Sequence, residues 1–223
     1  MTSDRHLFVT ADGSHSIAVG NVGLAYHSRH GAIQESQHVF IDAALHHRGR
    51  THQQHQVLEI GLGTGLNALM TWQAAERVPY SIQYTAYELY PLERAEVEPL
   101  NYPQQLGPVE SKEQLLQLHD CEWELVHSLS PHFQFCKHQQ SFESIAAEAQ
   151  YDLVYFDAFA PEAQPELWDT PLLEKMYRAL KTGGILTTYC AKGVVKRRLK
   201  ALGFTVEALP GPPGKREMTR ATK

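Results

Sequence analysis

VLEIGLGTGLNAL, residues Val57 to Leu69, passes from an apolar run that ends on an acid, through three glycines, into a segment with helical spacing. The run up to Ile60 is short, apolar and bounded by glycine, which predicts a buried strand. Leu66, Leu69, Met70 and Ala74 then fall on one side of a following helix. Gly61, Gly63 and Gly65 sit in the strand-to-helix turn, where the missing Cβ permits positive φ and lets a ligand press against the backbone. The helix start beyond them offers unpaired N–H groups, so the stretch reads as a nucleotide-type pocket. It fits the dinucleotide fingerprint poorly, because that pattern puts the third glycine three residues after the second, where this chain has Leu66.

Outward from this stretch the chain alternates strand and helix patterns. Ile82 to Tyr87 is a second strand ending on Glu88, His132 to Lys137 a third, and Tyr151 to Phe156 a fourth that runs into Asp157-Ala158-Phe159-Ala160-Pro161. Leu172 to Leu180 reads as a helix closed by Lys181-Thr182-Gly183-Gly184, with glycine supplying a left-handed termination. ILTTYC returns as a strand, Val194 to Leu202 is a basic helix ended by Gly203, and FTVEAL is a strand joined through PGPPG to the terminal REMTRAT. Such alternation implies an α/β fold with a mainly parallel, doubly wound sheet.

Before the main domain, HLFVT and SIAVGNV flank the turn signal Ala11-Asp12-Gly13-Ser14 and predict a small β-hairpin. Helical spacing follows, with Val39, Phe40, Ala43 and Ala44 positioned to pack. His46, His47, His52 and His55 lie in a Gln-rich stretch without apolar periodicity, read as a surface loop with no ordered ligand framework, so no metal is expected. The expected division is 1–50, a hairpin and lid segment, and 51–223, the main domain, with an insertion around 100–131 that exceeds what a crossover requires.

The 223 residues, 43% hydrophobic and 20% charged, suit one α/β domain with an appendage. No run approaches the roughly 18 to 20 apolar residues of a membrane span, and the start MTSDRH lacks an apolar signal core, so no membrane partner and a cytoplasmic location are expected. Cys121, Cys136 and Cys190 show no pairing pattern and read as reduced thiols. The net charge of −5 hides an asymmetry: residues 192–223 carry nine Lys and Arg against two Glu, or +7, and the remainder carries −12. A basic end of this density suits a polyanionic partner.

Acid-x-Gly-x-Gly-x-Gly, Glu59 to Gly65 with Thr64 inside it, resembles the first motif of the Rossmann-like class I S-adenosylmethionine methyltransferases. Glu88, twenty-three residues past Gly65, stands where an acid accepts from both ribose hydroxyls. Gln139, Gln140 and Ser141 stand on the adenine side, and Asp157 with Phe159 and Pro161 at a strand carboxyl end suits a cationic substrate group. ESQHVFIDAAL, EIGLGTGLNAL, YELYPL, FDAFAPEAQPELW, KGVVKRRLKALGF and GKREM together resemble the methyltransferase half of the bifunctional tRNA wobble-uridine enzyme MnmC and its free-standing homologues.

The resemblance implies S-adenosyl-L-methionine as cofactor, held by Glu59, Gly61, Gly63, Thr64, Gly65, Glu88 and Ser141, and Asp157, with Phe159 and Pro161, at the catalytic centre. Gln140-Ser141 stands where relatives show Gly-Asp. The implied reaction converts the 5-aminomethyl group of the tRNA wobble uridine, often 2-thiolated, to 5-methylaminomethyl. No counterpart of the FAD-dependent oxidase half is present, which implies no flavin and separate proteins that supply the aminomethyl intermediate. An Asp near its ordinary pKa of about 4 lies about 6 units, or roughly 8 kcal/mol, below an alkylammonium, so from sequence Asp157 is an orienter rather than a base. Methylation of another RNA or of a small amine, or a non-catalytic nucleoside- or RNA-binding module, are the competing readings.

Overall fold

A computed structural model describes residues 5–20, 24–49, 51–78, 80–107 and 111–223. Asn21 and Val22, at the end of the expected second hairpin strand, and residues 108–110, within the expected insertion, lie outside the described residues.

Strands β1 (Arg5–Val9) and β2 (His15–Val19) pair antiparallel with Val9 opposite His15. Asp12 fastens the turn, its Oδ1 accepting from the Thr10 hydroxyl at 2.7 Å and the Ser14 amide at 3.0 Å. A short β3 (Leu24–Ala25) joins β2 and leads to α1 (Ala32–Ser36), a π-helical run over Gln37–His46, and α2 (His47–Gly49). Phe40 and Leu45 from this run are fully buried, and Phe40 meets the Tyr155 ring at 5.1 Å. The segment before residue 50 thus shares the core of the main sheet.

The main sheet begins with β4 (Gln54–Ile60), then α3 (Leu66–Arg77) and β5 (Ser81–Tyr87). The helices α4 (Arg94–Val97), α5 (Tyr102–Leu106) and α6 (Ser111–Asp120) and strand β6 (His127–Ser130) fill the expected insertion and its approach. Next come β7 (Phe133–His138), β8 (Tyr151–Phe156), α7 (Thr170–Ala179), β9 (Leu180–Thr188), α8 (Gly193–Ala201), β10 (Thr205–Pro210) and β11 (Glu217–Thr222).

The strand order is β10-β11-β9-β8-β4-β5-β7-β6. The five central strands from β9 to β7 run parallel, while β6, β11 and β10 are antiparallel to their neighbours. Alternation along β8 explains the double winding: Leu153 and Tyr155 enter one core layer with α3 and the π-helical run, whereas Val154 and Phe156 enter the other with α7 and α8. No helix among the described residues is long and apolar enough to cross a membrane.

Three local expectations are corrected. His55 is not in a surface loop but buried on β4, its ring 5.4 Å from Tyr80; the strand starts three residues before the apolar run because pairing with β5 extends to Gln54. Glycine does not close α7: the helix ends at Ala179, and buried Leu180 already pairs with Tyr151 as the first residue of β9. Gly183, at φ 75°, instead lies within β9, beside a register shift against β8. Within residues 100–131, expected as an insertion, His127–Ser130 forms an edge strand, β6, that the sequence reading did not expect.

Candidate active site

The carboxyl ends of β4, β5 and β8 open on a cavity of about 560 Å³, within the usual range for a small-molecule site. Gly61, Gly63 and Gly65 take φ of 89°, 51° and 76°, so all three use the left-handed region that favours glycine. A Cβ on Gly63 would lie 2.8 Å from the Tyr26 ring, so backbone and ring leave no room for a side chain. Glu88 braces this loop, its Oε2 accepting from the Gly63 amide at 3.0 Å and its Oε1 from the Tyr90 amide at 2.8 Å. Each oxygen retains acceptor capacity towards a ligand.

Thr64 is gripped from three sides. The Tyr102 hydroxyl donates to Thr64 Oγ1 at 3.2 Å, His27 Nε2 lies 2.8 Å from the same oxygen, and His119 Nε2 donates to the Thr64 carbonyl at 3.1 Å. Burial pushes both histidines down to about 4, so both rings are neutral at pH 7.

Asp157 closes β8 at the cavity wall, where Asn67 Nδ2 donates to its Oδ2 at 2.8 Å. Burial pushes Asp157 up to about 7, the charge of Glu35 adds to this, and the Asn67 hydrogen bond and the charge of Lys215 pull against it. Phe159 meets Tyr26 edge to face at 5.2 Å, and the Trp168 indole donates to the Phe159 carbonyl at 2.7 Å, which holds the segment after Asp157 in place. The Tyr189 hydroxyl donates to the Ala158 carbonyl at 2.8 Å, and Lys215 Nζ sits 3.9 Å over the Tyr189 ring while pairing with Glu35.

Gly61, Gly63, Thr64, Glu88, Ser141, Asp157 and Phe159 therefore meet around one cavity. Glu59, Gly65 and Pro161 do not line it. Glu59 lies wholly buried beneath the loop, with burial raising its pKa well above the usual carboxylate range, so it acts on the loop from below. Gly65 faces the insertion, since a Cβ there would lie 2.7 Å from His119 Nε2. Pro161 faces a separate shallow depression. The Gln139 backbone amide and the Gln140 side-chain amide each donate to Glu124 at 3.1 Å, and neither residue lines the cavity, where Phe142 and Glu143 stand beside Ser141.

Sequence reading missed Glu35, Asn67, Tyr189 and Lys215. Glu35 and Lys215 open or sit within the ESQHVF and GKREM blocks, which was the available signal, but their meeting is long-range.

The basic end is mostly paired internally. Lys192, Lys196, Arg198 and Arg220 bond to Glu162, Glu217, Asp169 and Glu207. Arg197, Lys200 and Arg216 are exposed and make no ion pair among the described residues.

Residues 132–223 match the model of a family described as S-adenosyl-L-methionine-dependent methyltransferase. The chain is similar to the tRNA 5-methylaminomethyl-2-thiouridine biosynthesis bifunctional protein MnmC of Aromatoleum aromaticum, 31% identical over 96% of this chain and 34% of the relative. It thus spans about a third of the length of the curated relatives it matches. The crystal structure of MnmC2 from Aquifex aeolicus superposes with a TM-score of 0.81 at 25% identity, covering 99% of this chain and 70% of that one. Spermidine synthase from Thermotoga maritima shares the fold alone, with a TM-score of 0.58 at 13% identity over 99% of this chain and 69% of that one. With the glycine cradle, the braced loop and the acid at the end of β8, these matches identify the chain as a Rossmann-like S-adenosyl-L-methionine-dependent methyltransferase that resembles the methyltransferase part of MnmC.

Proposed function

We propose that this methyltransferase acts on tRNA and converts the 5-aminomethyl group of the modified wobble uridine to 5-methylaminomethyl(-2-thio)uridine. The observation that carries the reading is the placement of Asp157 beside the glycine cradle, in a cavity that also holds Glu35. Two acids at the cavity wall suit an amine acceptor, and the tRNA context comes from the relatives, which are bifunctional proteins of tRNA 5-methylaminomethyl-2-thiouridine biosynthesis.

The cradle fits S-adenosyl-L-methionine: Gly61 and Gly63 present bare backbone to the cavity, and Glu88 and Ser141 line its wall with polar groups. When bound, the cofactor supplies an electrophilic methyl group on a sulfonium. Asp157 then has two tasks, to aim the acceptor nitrogen and to take its proton. With Asp157 near 7, the gap to an alkylammonium of about 10 is about 3 units, or roughly 4 kcal/mol. This halves the uphill cost of proton transfer that an ordinary aspartate sets, which suits Asp157 to act as base as well as orienter. Positioning supplies the rest of the acceleration, since in-line attack needs the nitrogen close to the methyl carbon.

The test is transfer of labelled methyl to two tRNA preparations, one bearing 5-aminomethyluridine at the wobble position and one unmodified there, with mass spectrometry of wobble nucleosides from a deletion strain. Methylation of the aminomethyl tRNA alone and accumulation of its nucleoside in the strain are expected. Equal transfer to both preparations would overturn the substrate assignment.

A further inference from the structure

Glu35 comes from α1, at the opposite end of the chain from Lys215, yet the two side chains meet on the cavity wall that carries Asp157. Only 7% of the Glu35 side chain is exposed, and every contact holds it in one orientation. The Ser28 amide donates to Oε1 at 3.0 Å, Lys215 Nζ donates to Oε2, and Lys215 itself rests on the Tyr189 ring. Tyr189 in turn is tied to the carbonyl next to Asp157. Two carboxylates and one ammonium leave this wall a charge of −1 when Asp157 is ionised. An enclosed wall of that charge is complementary to one cation and repels anions.

We infer that Glu35, fixed by Lys215 and the Ser28 amide at the cavity that Asp157 lines, is the second carboxylate of the acceptor-amine site, so that the two acids together seat a single alkylammonium group. The inference rests on the aminomethyl reading above for the identity of that group. Glu35 supplies attraction; Asp157 takes one proton from the ammonium, the lone pair so freed forms the nitrogen–carbon bond, and the sulfur keeps the pair of the broken carbon–sulfur bond. Lys215 keeps the empty wall from carrying two uncompensated charges. The other groups that face Asp157 are Glu59 from β4, Tyr84 from β5, Asn67 from α3 and Tyr189 after β9.

Two variants move Asp157 in opposite directions. Glu35→Gln removes a like charge and should lower the Asp157 titration midpoint, whereas Lys215→Met removes an opposite charge and should raise it. Carbon NMR of labelled aspartate reads both without turnover, with Asp157→Asn assigning the signal. In methyl transfer to aminomethyl tRNA, Glu35→Gln should raise KM at least about 10-fold, with S-adenosyl-L-methionine affinity within twofold and Glu35→Asp partly restoring KM. A structural ion pair would change melting temperature but leave the midpoint and KM alone, and that result in either folded variant overturns the inference. Should the parent fail to methylate aminomethyl tRNA while the midpoints still shift apart, the paired-acid site stands and the wobble-uridine reading falls.

Discussion

The Asn67 amide, in the first turn of α3, donates to Oδ2 of Asp157 at the end of β8, 2.8 Å away and ninety positions along the chain. The helix that follows the glycine cradle therefore also aims the acid, which couples the cofactor side of the cavity to the acceptor side. Asn67 Oδ1 is buried with no hydrogen-bond partner among the described residues, and the same side chain also acts on buried Glu59 beneath the loop.

Replacing Asn67 by Leu should leave S-adenosyl-L-methionine affinity within a few fold and lower single-turnover methyl transfer about 10- to 100-fold. Because the lost hydrogen bond favours ionised Asp157, the acid limb of the pH–rate profile should also move to higher pH. Rapid-quench turnover across pH 6 to 9 measures both effects. A rate loss with an unmoved limb would reduce Asn67 to a packing role.

Asp157→Asn separates function from stability. A carboxyl raised from its ordinary value to about 7 contributes stability at low pH that is lost as pH rises through 7, so an uncharged replacement relieves a cost. The ceiling on that gain is about 4 kcal/mol at pH 8 and about 1 to 2 at pH 5, reduced by whatever water in the cavity screens. Denaturant titration at the two pH values should show Asn more stable than the parent, most at pH 8. Methyl transfer in the same protein should fall at least about 100-fold.

Gly63→Arg puts a side chain where Tyr26 already presses on the loop, and Glu88→Ala removes the acceptor of the Gly63 and Tyr90 amides. Both should weaken S-adenosyl-L-methionine binding at least about 10-fold by calorimetry while circular dichroism stays parental. A folded variant that binds like the parent would remove that residue from the site.

His27 acts with the opposite sign to Asp157. Held at about 4 in the fold against 6.5 unfolded, it stabilises above the unfolded value, and the contribution is lost as pH falls from 6.5 towards 4. The loss reaches about 2 kcal/mol at pH 5. Since Asp157 offsets this over the same range, the informative quantity is the difference between the parent and His27→Gln, which should shrink by about that amount between pH 7.5 and 5.

Arg197, Lys200 and Arg216 are the exposed, unpaired cations of the basic end, whereas Lys196 is half-buried against Glu217. If tRNA phosphates dock there, changing these three to Gln should weaken tRNA binding and lower the slope of log K against log[salt] by somewhat under one per lost contact. Lys196→Gln should do neither. An unchanged slope in the triple variant would place the RNA elsewhere.

The glycine stretch made the central fold legible because a short apolar run bounded by glycine marks a buried parallel strand in any context, as do the runs before Glu88 and Asp157, although α3 is buried on all faces from Leu66 to Ala75 and not on one side alone. Less legible were features set by pairing across the sheet. His55 looks like a loop residue until β5 lies beside it, and Leu180 looks helical until Tyr151 claims it. In the site, the glycines and the acids at the strand ends were readable, while Asn67, Glu35 and Lys215 were not, because their roles lie in contacts made 90 and 180 positions away. At the basic end, composition counted the charges but not which of them pair within the fold, as Lys196, Arg198 and Arg220 do.

The threefold grip on Thr64 has a consequence for how the protein comes into being. His27, Tyr102 and His119 reach the loop from three segments outside the β4–α3 unit. That unit can pair and pack early, through contacts close in sequence, but its loop acquires a single shape only after these distant pieces have docked. Cofactor binding should therefore appear late in refolding, after the sheet has formed. A graft of β4 and α3 alone onto another α/β protein would carry the glycines without the affinity.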